Sequence, residues 1–257
     1  MLTKRQKISI SSVILAVGIF FLPIVEPANR FYLLTGLIFA SYFLSVWSIF
    51  GEFTPTELVS LFVLPVILTA SFGLFQSRFA VSTLVRLILA LTYIVTMYTI
   101  LLSENIFNVS VERNIPLVRA ARTVGYLATL FVAFAFFTLL FGLRLSGFIF
   151  SAISAVVAAF LFAQGLWQIE LKETNLWTLG YFSFVAGALI GEVSLALSFW
   201  PLEPPKVGLA LTAAVYVVLG ILQHHLRTDL KFRTLFEYLF VGAAVVFLLI
   251  ISTNWGV

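Results

Sequence analysis

Residues 104–123, ENIFNVSVERNIPLVRAART, interrupt a chain that otherwise consists of one apolar segment after another. They carry five of its charged side chains, of which there are 15 basic and 11 acidic in all. The segment separates four predicted membrane helices from five, so it sets the division of the chain. It is the first place to look for a ligand or a partner, because polar groups are otherwise scarce.

The composition requires contact with lipid. Of the 257 residues, 61% are hydrophobic and 10% are charged, against about 25% charged in an average soluble protein. A span takes about 20 residues, which leaves room for about eight to ten spans and none for a soluble catalytic domain. The net charge is +4, and the basic residues lie in connections between helices. This distribution indicates that they orient the protein in the membrane rather than bind nucleic acid. The chain has no cysteine, so disulfides and thiolate metal sites are excluded.

The apolar runs predict an all-α polytopic bundle of nine transmembrane helices that forms a single transmembrane domain over residues 1–257. Pro65 falls inside the third run and predicts a kink there. The polar segment 104–123 between helices 4 and 5 divides in two. Alternation of Phe107, Val109 and Val111 with polar residues predicts an irregular or extended stretch over 104–113, and Asn114 with Pro116 predicts the start of a helix.

Basic residues predict the orientation through the positive-inside rule. With the N-terminus inside and the C-terminus outside, ten basic residues lie on the inner side and five on the outer side. The hairpin of helices 2 to 4 conflicts locally with this rule, because its inner loop is acidic, so its topology stays open. The inner set is Lys4, Arg5, Lys7, Arg113, Arg119, Arg122, Lys172, Arg227, Lys231 and Arg233; the outer set is Arg30, Arg78, Arg86, Arg144 and Lys206.

Glu192 is the most unusual residue, because it lies eight positions before Trp200 and therefore about 12 Å inside the predicted span. A carboxyl group there marks either a functional site, coupled to protons, cations or a substrate, or a hydrogen bond across a helix contact. No partner acid or base is visible in another span.

Arg119 and Arg122 are three residues apart and share a helix face. With Arg113 they could bind an anionic lipid headgroup or another phosphate bidentately. The simpler interpretation is that they orient the helix and contact the bilayer.

Small residues form a helix-packing stripe on the seventh run, with Ser183, Gly187 and Gly191 at its centre. Together with Ser151, Ala155 and Ala159 on the sixth run, this stripe could bind partner spans or a second copy of the chain. No nucleotide-binding loop, nucleophile motif or metal-ligand cluster is present, so no catalytic residue, cofactor or metal is predicted. His224 and His225 are adjacent and do not form a metal-binding pair on a helix.

The stretch ENIFNVSVERNIPLVRAARTVGYLATL, with the spans that follow, resembles an uncharacterised family of bacterial polytopic membrane proteins classed as a domain of unknown function. The resemblance covers about a tenth of the chain and implies no activity and no functional residues.

These observations leave three functional hypotheses. The first is transport or small-molecule and lipid handling in a bacterial inner membrane, with Glu192 in the path and Arg119 and Arg122 at its cytosolic mouth. The second is a non-catalytic membrane subunit or scaffold that packs against partner helices. The third is a lipid-modifying membrane enzyme, for which the chain offers few converging acids or bases.

Overall fold

A computed structural model of the chain describes residues 2–49, 57, 60–78, 82–112, 117–169 and 176–253. Within these residues the protein is entirely helical. Nine helices follow in order: α1 (Lys4–Phe21), α2 (Pro27–Ile49), α3 (Val63–Arg78), α4 (Thr83–Glu112), α5 (Val118–Gly142), α6 (Gly147–Trp167), α7 (Leu176–Ser198), α8 (Pro204–Leu226) and α9 (Phe232–Ser252). The all-α, multi-pass membrane fold is therefore confirmed.

Eight of these helices are long and apolar enough to cross a bilayer, and α3 is the exception. Its 16 residues extend about 24 Å at 1.5 Å per residue, less than the roughly 30 Å of hydrocarbon in a membrane. The prediction that Pro65 lies in mid-span is wrong, whereas the helix is interrupted just before it, by a turn at Leu61 and Phe62 that follows the helical residue Ser60. Because α3 begins at Val63, Pro65 lies in the first turn, where a missing backbone N–H breaks no intrahelical hydrogen bond.

The prediction of an irregular stretch over 104–113 is also wrong, because α4 continues as a helix to Glu112. Its buried positions include Ile100, Leu101, Glu104, Phe107 and Asn108, which share one face of a helix. Two of these five are polar, and this concealed the helical period in the sequence. The predicted helix start at Asn114 and Pro116 lies outside the described residues, as does Arg113.

The chain divides into two compact units, Met1–Ala128 and Thr129–Val257, with the division inside α5. In unit 1, α1 packs against α2 and α4, and α2 packs against α3. In unit 2, α6 and α7 form the most extensive contact, and α8 packs against α9. That the two units fold together as the predicted single transmembrane domain stays a prediction.

Arg30 stabilises the end of unit 1 that lies away from the start of α1. Its guanidinium donates hydrogen bonds to the backbone carbonyls of Val25 (2.9 Å), Pro23 (2.8 Å) and Ser77 (3.3 Å). These carbonyls follow α1 or end α3, where they lack intrahelical donors. Arg30 therefore ties two helix ends together, in addition to any effect on membrane orientation.

Candidate functional site

Unit 1 contains a concentration of buried polar side chains in an otherwise apolar bundle. Glu104 is 1% exposed and Glu57 is 3% exposed, although carboxyl groups are rarely buried so deeply. Serines from four parts of the chain lie buried with them. We call this set the serine–glutamate cluster: Ser11, Ser12, Ser45, Ser48, Glu57, Ser60, Ser103, Glu104 and Asn108.

Contacts between neighbouring helices place these residues at a similar height in unit 1. The Ser11 hydroxyl donates to the Leu44 carbonyl at 3.1 Å, which sets α1 against α2. The rings of Tyr42 and Phe62 lie 5.6 Å apart, which brings the residues just before α3 to the same part of α2.

The register of α3 against α4 extends this alignment. The hydroxyls of Thr69 and Tyr93 are 2.8 Å apart near the middle of unit 1. Ser60 precedes Thr69 and Ser103 follows Tyr93 by similar numbers of residues in antiparallel helices, so each lies about 14 Å further toward the same end. That end is the one at which α1 begins and α4 finishes.

Three of the six serine hydroxyls of the cluster bond to their own helix. Ser12 donates to the Ile8 carbonyl at 2.9 Å, Ser48 to Ser45 at 2.9 Å and Ser103 to Thr99 at 3.0 Å. Ser45 differs, because its fully buried hydroxyl has no hydrogen-bond partner among the described residues. A buried polar atom without a partner is uncommon in a native fold and calls for an explanation.

Buried polar groups continue from the cluster toward the other end of unit 1. The Thr69–Tyr93 pair lies further from the start of α1, and Ser71, two residues after Thr69, is also buried. Gln76 follows near the end of α3; it is 1% exposed, and neither atom of its amide has a hydrogen-bond partner in the described part of the chain. From Val63 to Gln76 the helix rises about 20 Å, so polar groups are distributed over much of the bundle's height.

Glu192, the acid that the sequence singled out, lies in unit 2 on α7. It is exposed and points away from the face of α7 that contacts α6, whereas its neighbour Gly191 is buried. Its position thus differs from the interior of unit 1, where Glu57 and Glu104 are buried.

Arg119 and Arg122 lie in the first turns of α5, within unit 1. Arg119 is exposed and Arg122 is half-buried. The exposed guanidinium is accessible to an anionic headgroup, which stays a prediction.

The small residues of α7 pack against α6 of the same chain. A Cβ atom added at Gly187 would lie 2.7 Å from the Ala155 carbonyl oxygen, and one at Gly191 would lie 2.8 Å from the Ala155 Cβ. The Ser151 hydroxyl donates to the Gly191 carbonyl at 2.7 Å. Ser183 is buried on the same helix. The two small-residue faces therefore contact each other, and this contact occupies the surface that was expected to bind partner spans.

The two histidines at the end of α8 have separate partners. His224 Nδ1 lies 2.8 Å from an Asp229 carboxylate oxygen. The His225 ring contacts the Phe182 ring, with centroids 5.9 Å apart. The adjacent imidazoles thus do not converge on one point.

Sequence reasoning missed the serine–glutamate cluster because it assigned the serines to helix packing and Glu104 to a loop. One signal was available. Ser11, Ser12, Ser45 and Ser48 occur near the same predicted membrane surface as Ser60 and Ser103, as expected for helices that alternate in direction.

The chain matches none of the curated proteins and none of the solved structures with which it was compared. A family model does match, over residues 33–252, a range that includes every helix from α3 to α9 and most of the serine–glutamate cluster. This confirms the resemblance to an uncharacterised family. The chain belongs to the family described as protein of unknown function (DUF5656).

Proposed function

We propose that this protein transports a small cation or another small polar solute across a bacterial inner membrane, along the interior of unit 1. The observation that carries the proposal is the burial of Glu57 and Glu104, together with six serines at a similar height, in an apolar helix bundle. Acids buried within a bundle of membrane helices are rare. Such residues therefore mark ion pathways and proton relays more often than they support a fold.

The hydrogen bonds of the serines support this function over a purely structural one. Serines that hold membrane helices together donate to a neighbouring helix. Ser11 does so, but Ser12, Ser48 and Ser103 donate to carbonyls of their own helices. Their oxygens keep lone pairs for a solute, because a hydroxyl that donates one hydrogen bond can still accept others.

The predicted orientation places the serine–glutamate cluster toward the cytosol, at the end of unit 1 where α1 begins. Arg119 and Arg122 would lie at the same surface and contact anionic headgroups. Glu192, which the sequence suggested for the path, is exposed on α7. The path therefore passes Glu104 and Glu57 and does not include Glu192.

The test is solute flux into proteoliposomes that contain the full chain, with a membrane potential and a trapped pH indicator or a labelled cation. Glu104→Gln removes the charge and keeps the shape. We expect it to lower flux by about tenfold or more, which corresponds to roughly 1.4 kcal/mol. Glu192→Gln is the matched control and should leave flux unchanged. Loss of flux in Glu192→Gln, with normal flux in Glu104→Gln, would contradict a path through unit 1.

A second function, the non-catalytic subunit, is favoured by α9. Only 6% of the residues in its most apolar stretch are buried, and Phe236, Phe240 and Phe247 are exposed on its surface. A partner helix could cover this surface, and lipid would cover it equally well. A photo-crosslinking residue at position 240 separates the two, because capture of lipid alone in native membranes would count against a partner.

A further inference from the structure

Ser45 is the most informative residue of the serine–glutamate cluster. Ser41 and Ser48 lie on the same buried face of α2, and their hydroxyls donate to carbonyls three residues earlier, at 2.7 Å and 2.9 Å. Ser45 lies between them, is equally buried, and has no hydrogen-bond partner in the part of the chain that the structure describes. Its oxygen is therefore buried in unit 1 with none of its hydrogen-bonding capacity used by the described residues.

The helical structure is interrupted just before α3, at a height in unit 1 similar to that of Ser45. Glu57 and Ser60 are helical, Leu61 and Phe62 form a turn, and α3 begins at Val63. Pro65 has no N–H, so it cannot donate to the carbonyl of Leu61, four residues earlier. The Tyr42–Phe62 ring contact, at 5.6 Å, brings this turn close to the part of α2 that holds Ser45. Interrupted helices with freed carbonyls are the places where membrane transporters coordinate Na⁺.

The donor atoms determine the class of ligand. Carboxyl, hydroxyl and backbone carbonyl groups offer oxygen only, which suits hard cations and excludes those that require nitrogen or sulfur. Ca²⁺ takes about six to eight oxygen ligands and Mg²⁺ keeps several waters in its shell, whereas the described residues contain no group of three or more acidic, histidine or cysteine side chains that could hold a metal ion. A small monovalent cation fits the remaining set of one or two carboxylates with neutral oxygens.

We propose that the serine–glutamate cluster binds Na⁺ through the Glu104 carboxylate, the Ser45 hydroxyl and the carbonyl freed at Leu61. This inference rests on the proposed transport function and deepens it by naming the ion that is carried or coupled. A bound Na⁺ would give the Ser45 hydroxyl an interaction that the described residues do not supply.

The test is equilibrium binding of radioactive Na⁺ to the purified full-length protein in nanodiscs, at constant ionic strength. We expect saturable binding that unlabelled Na⁺ displaces, that K⁺ displaces less well, and that choline does not displace. Ser45→Ala should weaken the affinity by about tenfold, and Glu104→Gln should abolish saturable binding. Circular dichroism and size-exclusion profiles identify variants that have lost the fold.

Ser154→Ala is the matched control. Ser154 is also fully buried and its hydroxyl also has no partner among the described residues, but it lies in unit 2. We expect this variant to bind Na⁺ as the unmodified protein does. Equal effects of Ser45→Ala and Ser154→Ala, better displacement by K⁺ than by Na⁺, or no saturable binding at all would overturn the inference.

The binding result and the flux result are independent. Na⁺ binding without flux would retain the site and reject transport. Flux of protons or another solute that Glu104→Gln abolishes, without Na⁺ binding, would retain transport and reject Na⁺ as the ligand.

Discussion

Gly187 shows how a single residue sets the distance between two helices. The position where its Cβ would lie is 2.7 Å from the Ala155 carbonyl oxygen and 2.9 Å from the Ala159 Cα. Both are backbone atoms, which a rotamer change cannot move. The close approach of α6 and α7 therefore depends on the absence of a side chain at position 187.

The Gly187→Ala variant should consequently destabilise the protein, by about 1–3 kcal/mol for an overpacked contact. Gly180→Ala is the matched control on the same helix, because nothing lies within 4 Å of its added Cβ. There the higher helix propensity of alanine should leave stability unchanged or raise it by up to about 1 kcal/mol. Thermal unfolding of both variants in one detergent measures the difference. Equal stability of the two variants would show that α6 and α7 are further apart than described.

At the scale of the element, the start of α3 is the feature with the clearest consequence. A proline in the first turn fits a helix without breaking it, whereas a proline in mid-span needs a compensating partner. We therefore expect Pro65→Ala to change the free energy of unfolding by less than about 1 kcal/mol. The same substitution supplies an N–H for the Leu61 carbonyl, so it should weaken Na⁺ binding. A large loss of stability would return Pro65 to the mid-span position that the sequence suggested.

The helices differ in how far the sequence could predict them. Long apolar runs located all nine, because the cost of unpaired backbone groups in lipid leaves helices as the main option. The end of α4 was misjudged because Glu104 and Asn108 face inward, against the usual pattern of burial. The stripe around Gly187 was recognised as a packing surface, but its partner was not, because composition gives no information on which of two small-residue faces meet.

The candidate site was less predictable than the helices for a related reason. Glu192 was conspicuous because it stands alone in an apolar run, while Glu57 and Glu104 were assigned to connections by their polar neighbours. Their significance depends on burial, which arises only when α1, α2 and α4 come together. An acid in a polar stretch of sequence is therefore not excluded from the interior of a membrane bundle.

At the scale of the whole molecule, residues at the two ends of α5 can report which side of the membrane faces the cytosol. Arg119 and Arg144 are exposed at opposite ends of α5, one before and one after its apolar part. The helix of 25 residues extends about 37 Å, enough to cross the roughly 30 Å of hydrocarbon.

The chain has no native cysteine, so Arg119→Cys and Arg144→Cys each introduce a single thiol. With the N-terminus inside, an impermeant maleimide should label position 144 in intact cells and position 119 only after the membrane is opened. Removal of one basic side chain should not invert the protein, since ten basic residues lie on the predicted inner side and five on the outer side. Labelling of position 119, but not 144, in intact cells would reverse the orientation and place the serine–glutamate cluster at the outer surface. A Na⁺ site there would face the external medium, where binding would precede entry.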